Sequence, residues 1–299
     1  LYNKEMGMYW RQKAGWNWYQ APIETQTMMI ETFSELENNP TIIEQLKIWL
    51  LKQKQTQHWN TSSATAEAVY TLLMFGNNAL DNNNLVDITV GNQIIDINGN
   101  SDITAESGTG YFSTSWSGSE ITPELSQISI TNPNNHIAWG AAYWQYFEDL
   151  DKIKTNISPL SINKKLFIEK LTPSGPILIP VDTNLELNPG DKIISHLIIS
   201  TDRNMEYIHL NDMRATAFEP VSPLSGYTYN GGLWYYKNIT DVSTDFFIRY
   251  LNKGTYVLEY PLYVTQIGDF TVGIATIQSM YAPEFSAHSS GLRVKVSEQ

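Results

Sequence analysis

The 299-residue chain contains no cysteine. That absence removes disulfides, thiolate zinc sites and cysteine nucleophiles together. It leaves the compartment open, because many bacterial envelope proteins also lack cysteine. Basic residues are scarce: 19 Lys and Arg stand against 31 Asp and Glu, a formal net charge of -12. Such a chain repels phosphate backbones and anionic lipid surfaces, so no nucleic-acid partner is expected. No apolar run reaches the roughly 18 residues of a membrane-spanning helix, so no transmembrane segment is expected. The start Leu1-Tyr2-Asn3-Lys4 offers neither an initiator Met nor an apolar signal core, which predicts a piece of a longer chain. Core-forming residues are not lacking. With 42% hydrophobic, 12% aromatic and 17% charged residues the composition is globular, and the length suits two or three domains.

Catalytic signatures are missing as well. There is no G-x-S-x-G elbow, no phosphate-binding G-x-x-x-x-G-K-[ST] loop and no H-E-x-x-H. His58, His136, His196, His209 and His288 fall on different elements without an i, i+4 pair, which predicts structural or surface roles and no metal site. The run Asp96-Ile97-Asn98-Gly99-Asn100-Ser101-Asp102 alternates oxygen side chains like a calcium loop but lacks Gly at its sixth place and Glu at its twelfth, so it reads as a polar turn. Glu106, Glu120 and Glu124 could form an acid/base pair, yet among 31 acids some proximity arises by chance. The sequons at Asn60, Asn156 and Asn238 are short enough to be accidental. The expectation is a protein with no catalytic residue and no cofactor.

Residues 1–80 carry helical periodicity. Met29, Phe33 and Leu36, then Ile43, Leu46 and Leu50, then Val69, Leu72 and Leu73 recur at turn spacing, which predicts three helices. Asn39-Pro40 supplies a cap and a first-turn Pro, and Gly76 a C-terminal stop. The Gln-rich turn ending in Trp59, followed by the Ala-rich run Ala64 to Ala68, suits an α/α-toroid, where small side chains let helices approach closely. After the polar run Asp81 to Asn84 the period becomes two, and residues 81–157 read as a β domain. Its expected hairpins are Val86–Val90 with Ile94–Ile97 around Gly91-Asn92, Tyr111–Trp116 with a strand reaching Ile121 around Ser117-Gly118, and Ile128–Ile130 with Ile137–Tyr143. Glu148 to Pro159 reads as a linker. Residues 158–299 then read as a second antiparallel β-sandwich, with strands at 166–168, 193–199, 246–251, 256–263, 270–274 and 292–296 and a hairpin turn at Asn252-Lys253-Gly254. The fold class is therefore α+β and multidomain: a short helical segment followed by two β-sandwich domains.

Three stretches carry a family resemblance. Ala21-Pro22-Ile23-Glu24-Thr25-Gln26 with Trp49 to Gln57 and Trp59 resembles the last helices of a thioester domain. Gly108-Thr109-Gly110-Tyr111-Phe112 with Ile130-Thr131-Asn132-Pro133 resembles the CUB-like β domain into which that helical toroid is inserted. Thr276 to Phe285, with Met280-Tyr281-Ala282-Pro283 at its centre, resembles a signature near the end of the terminal macroglobulin-type domain. In this order they resemble the C-terminal region of the bacterial alpha-2-macroglobulins, over almost the whole chain. The resemblance implies a non-enzymatic trap of periplasmic or cell-surface location, lipid-anchored through an upstream N-terminus. Attacking proteases are its partners: they cleave a bait segment and are enclosed, often after covalent capture by an internal Cys-Gln thioester. It also implies that Met280 and Tyr281 cover the thioester against water. This chain departs from the pattern in having no cysteine and no recognisable bait.

Two other classes stand beside it. A terpenoid-cyclase-like toroid enzyme would need more helices and an Asp-rich motif. A surface adhesion or carbohydrate-binding module would need Tyr227, Tyr229, Trp234, Tyr235 and Tyr236 exposed together, whereas burial across the strands favours the trap.

Overall fold

The computed structural model describes residues 2–3, 6–10, 21–37, 39–75, 86–96, 103–105, 111–133, 138, 140–156, 158–182 and 185–298. Gly76, the run Asp81–Asn84, most of the calcium-like run, Glu106, Gly108–Gly110, His136, Ile137 and Trp139 lie outside them. The chain divides into two compact units, residues 1–52 with 59–142 and residues 53–58 with 143–299.

The first unit holds helix α1 (Pro22–Leu36), α2 (Pro40–Thr56) up to Lys52 and α3 (Ser62–Met74), three helices as the periodicity predicts. Asn39 Oδ1 accepts the Thr41 N–H at 3.1 Å and Thr61 Oγ1 accepts the Ala64 N–H at 2.9 Å, so side chains cap the starts of α2 and α3. In α2 the expected stripe Ile43, Leu46 and Leu50 is buried. The stripes of the other helices differ from expectation. In α1 Leu36 is exposed, and the inner face is Ile23, Gln26, Thr27 and Ile30. Gln26 is tolerated there because its amide donates to the Met8 and Leu46 carbonyls at 2.9 and 3.0 Å. In α3 Ala64, Ala68 and Thr71 face inward while Val69 and Leu73 stay exposed, so close approach by small residues wins over the larger apolar stripe. Trp59 packs against this helical core, and Tyr9 stacks on Trp49 at 5.6 Å.

Strands of this unit are short: β1 (Tyr2–Asn3), β2 (Gly7–Met8), β3 (Asp87–Val90), β4 (Gln93–Ile94), β5 (Thr104–Ala105), β6 (Phe112–Ser113) and β7 (Ile128–Thr131). The β3–β4 hairpin forms around Gly91-Asn92 as expected. The next two hairpins are corrected. Phe112–Ser113 pairs with Thr104–Ala105, and no strand runs to Ile121. Glu120 N–H closes a turn onto the Ser117 carbonyl at 2.9 Å, and Pro123, which has no N–H to give a ladder, starts a 3-10 turn, Pro123–Ser126. Ile128–Thr131 pairs with β3, and of the expected partner Ile137–Tyr143 the described positions 138 and 140–143 carry no strand, nor do positions 144–149.

The second unit contains β8 (Leu160–Thr172), β9 (Gly175–Pro180), β10 (Glu186–Leu187), β11 (Lys192–Thr201), β12 (Met205–Met213), β13 (Phe218–Pro220), β14 (Gly226–Asn230), β15 (Leu233–Ile239), β16 (Ser243–Leu251), β17 (Gly254–Val264), β18 (Gly268–Val272), β19 (Ala275–Ser279), β20 (Ser286–His288) and β21 (Leu292–Val296). A five-stranded sheet in the order β13-β17-β11-β8-β9 and a six-stranded sheet in the order β14-β15-β16-β12-β19-β20 contribute to one core, with a small sheet β10-β21-β18 beside them. Alternation makes that core: Ile162, Leu166 and Ile168, then Leu197 and Ile199, Ile208 and Leu210, Phe246 and Ile248, Leu258 and Leu262 are all buried. All six expected strands are present. The linker stretch is partly tied down, since Gly291 N–H donates to Ile153 O at 3.0 Å and Asn156 and His288 exchange backbone bonds at 3.0 and 3.2 Å. Gly291 is required there, because a Cβ would lie 1.6 Å from the Leu150 carbonyl oxygen.

Candidate functional site

β19 buries Ala275, Ile277 and Ser279 at period two, and the chain then leaves the sheet for six residues before β20. This loop is closed by its own backbone: Ser279 N–H donates to Phe285 O at 3.0 Å and Phe285 N–H to Ala282 O at 2.9 Å. Ala282 and Phe285 are buried, and the Arg203 guanidinium lies over the Phe285 ring at 5.2 Å. Arg203 Nε in turn donates to Asp202 Oδ1 at 2.8 Å, and that hydrogen bond holds the Asp202 carboxyl below its usual range. With two residues of the loop anchored inside, Met280 and Tyr281 point away, 53% and 78% exposed. The Met280 N–H donates to Tyr207 O at 2.9 Å, and the Tyr281 ring meets the Tyr207 ring edge-to-face at 5.1 Å. Tyr207 has φ 54, the one positive φ on a non-glycine residue among the described residues. For a bulky side chain that conformation costs on the order of 1–3 kcal/mol. The resemblance points to Met280 and Tyr281 within the stretch that ends at Phe285, whereas nothing in the sequence points to Tyr207 or Arg203, whose roles depend on contacts far apart in the chain.

A second arrangement lies on the six-stranded sheet. The two-residue turn Gly231-Gly232, with φ 57 and 80, joins β14 to β15, a hairpin signal that the sequence reading passes over. Tyr227, Tyr229, Trp234 and Tyr236 are exposed on it, whereas Tyr235 is 5% exposed and packs on Phe246. Cross-strand register sets Tyr227 opposite Tyr236, Tyr236 opposite Phe247 and Phe247 opposite His209, a row of rings across β14, β15, β16 and β12. Phe247 and His209 stack at 4.7 Å. His209 Nε2 and Asp245 Oδ1 lie 2.9 Å apart, and Asn211 Nδ2 donates to the same oxygen at 2.8 Å.

A third cluster is internal. The Lys164 ammonium meets Asp212 Oδ1 at 2.6 Å, joining β8 of one sheet to β12 of the other, and also donates to the Gly273 carbonyl at 2.9 Å. Ser195 Oγ and Tyr260 Oη donate to Asp212 Oδ2 at 2.8 and 2.6 Å. Burial first, and the Asp212 charge second, push the Tyr260 phenol well above its usual pKa. Every member is held, so the cluster ties sheets together and offers no free nucleophile. Among the described residues no group of three or more His, Asp or Glu is arranged to hold a metal ion. His196 pairs with Glu259 at 2.5 Å and His209 with Asp245 at 2.9 Å, each histidine on its own carboxylate. Glu120 and Glu124 bond to their own local turn, which lowers both pKa values through Ser117 and Thr122 hydrogen bonds respectively.

Residues 160–284 match the family model of the bacterial alpha-2-macroglobulin MG10 domain. Salmonella alpha-2-macroglobulin reacted with methylamine is 14% identical over 95% of this chain and 18% of that one, with a TM-score of 0.38. Trypsin-activated alpha-2-macroglobulin from Escherichia coli is 12% identical over 93% of this chain and 19% of that one, with a TM-score of 0.42. Circularly permutated Ras protein 2 of Dictyostelium discoideum is 26% identical over 110 residues, 37% of this chain and 3% of that protein. The chain thus spans less than a fifth of the length of each of these relatives. The domain model carries the comparison: the large β-sandwich of this chain, through residues 160–284, is similar to the MG10 domain of the bacterial alpha-2-macroglobulins.

Proposed function

We propose that this chain is a non-catalytic C-terminal part of a protease-trapping inhibitor, in which the Met280–Tyr281 loop acts as a cover over a reactive group elsewhere in the longer protein. The observation that carries this reading is the exposure of Met280 and Tyr281 on a loop whose Ala282 and Phe285 anchors are buried. An exposed thioether and phenol ring held by a rigid frame suit the exclusion of water from a thioester: both are bulky and largely apolar, and the phenol also donates one hydrogen bond. The partners are attacking proteases, enclosed by the longer protein rather than by this chain alone. Its location is the periplasm or cell surface, with an anchor in a preceding segment. No helix among the described residues is long and apolar enough to cross a membrane.

The test is incubation with casein, a glycan panel and trypsin. The chain alone should turn over none of them and leave trypsin active, whereas the longer protein, once cleaved, should co-elute with trypsin that still hydrolyses small peptide substrates. Turnover by the chain, or loss of trypsin activity in its presence, would contradict the proposal. One observation favours a second reading, a carbohydrate-binding face: Tyr227, Tyr236 and Phe247 are exposed side by side on β14, β15 and β16, with the half-buried His209 next to them on β12. Retardation of the chain in gels containing neutral polysaccharides, abolished by Trp234→Ala with Tyr227→Ala, would support it, and unretarded migration would remove it.

A further inference from the structure

We propose that Tyr207 is the positioning residue for Tyr281, a role that rests on reading the Met280–Tyr281 loop as a cover. The register between β12 and β19 ends at Ile208 opposite Ser279, and the Met280 N–H to Tyr207 O bond of 2.9 Å adds the next rung. On its other side Tyr207 has left the ladder, since β12 and β16 pair Glu206 with Tyr250 and Ile208 with Ile248 and skip the position between. The left-handed backbone, φ 54, therefore falls where β12 turns from one neighbour toward the loop carried by the other. Glycine or asparagine would adopt that backbone with less strain than tyrosine. What tyrosine adds is the ring that meets Tyr281 edge-to-face at 5.1 Å, within the range in which such pairs attract. Tyr281 is otherwise 78% exposed, so this contact selects one direction for a ring that solvent alone would leave free to turn. Strain on the backbone of one residue and orientation of the side chain of another are thus coupled in a single pair of residues, and Tyr207 acts only through Tyr281.

The test places 3-fluorotyrosine at position 281 of the 299-residue chain and records its fluorine resonance with Tyr207→Phe, Tyr207→Asn and Tyr207→Gly. Phe keeps the ring; Asn and Gly tolerate the left-handed backbone and remove it, and either one suffices if the other fails to fold. Tyr207→Phe should leave the resonance in place, while Tyr207→Asn and Tyr207→Gly should move it toward free fluorotyrosine and narrow it. The same resonance in all variants overturns the proposal. In the longer protein, methylamine incorporation should rise about two- to tenfold with Tyr207→Asn, the population change expected from losing one aromatic pair, and stay unchanged with Tyr207→Phe. A rate raised by Tyr281→Gly but not by Tyr207→Asn also overturns it. If neither raises the rate while the fluorine signal still responds, the cover reading fails and the positioning of Tyr281 by Tyr207 stands.

Discussion

The two units apply the same pattern to different ends. In the second, β11 pairs over ten residues with β17 on one side and β8 on the other, and the apolar residues of alternating positions in both large sheets meet in one core. In the first, β3 and β7 share four pairs, and Ile94, Ile128 and Ile130 remain exposed. α3 likewise leaves Val69, Tyr70, Leu73 and Met74 exposed opposite its buried Ala64 and Ala68. Alternation and helical periodicity say which residues want burial, not whether this chain supplies what would bury them. The sandwich of the second unit closes on itself, whereas the described helices and short strands of the first leave large apolar side chains exposed.

The sharpest way to break that comparison is to damage each unit equally. Lys164→Met should cost about 3–5 kcal/mol, because it strands the Asp212 carboxylate in the core, whereas Ile130→Ala should cost under about 0.5 kcal/mol. Urea melts resolving the two units would measure both. Equal costs would mean that the β3–β7 sheet is buried after all and that the contrast is false.

Alkaline titration sharpens the same point inside the sandwich. The Tyr260 phenol is raised in the folded state, so its contribution to stability is complete below the ordinary tyrosine pKa and is lost as pH rises through the folded value. Of 17 tyrosines, absorbance should show at least one that ionises only as the sandwich unfolds. Complete ionisation with the fold intact would place Tyr260 near solvent. Tyr260→Phe should flatten the alkaline loss of stability.

Proteolysis probes the connection at a smaller scale. Tyr143, Trp144, Tyr146 and Phe147 are exposed and belong to no element, while residues 150–156 are bonded to the sandwich through Ile153 and Asn156. Chymotrypsin should therefore cut first between 143 and 147, ahead of the stretch up to Pro159 that composition alone marks as the linker. First cuts within β8 to β21 would contradict the closed sandwich.

How much of this was legible in the sequence follows from where each signal is local. Ile43, Leu46 and Leu50 announce their helix, and the apolar runs of β8, β11 and β17 announce their strands. β12 does not, because Glu206, His209, Asn211 and Asp212 interrupt it with polar side chains whose partners, such as Asp245 and Lys164, lie on other strands. β9 hides behind two prolines at an edge where a missing N–H costs little. Met280 and Tyr281, and the exposure that a covering role requires, were reachable only through resemblance, since the same letters would suit an apolar strand end. The left-handed backbone of Tyr207 leaves no trace in its residue type.

The central claim is that Met280 and Tyr281 stand outside the sandwich core and serve as a cover. The most direct measurement is the double change Met280→Ala with Tyr281→Ala, read as the melting of this chain and as methylamine incorporation by the longer protein. Melting should change by less than about 0.5 kcal/mol, since both groups are exposed, while amine incorporation accelerates. A loss of about 2–5 kcal/mol, as for a buried Met or aromatic, with unchanged amine reactivity would assign the pair to the core and remove the covering role.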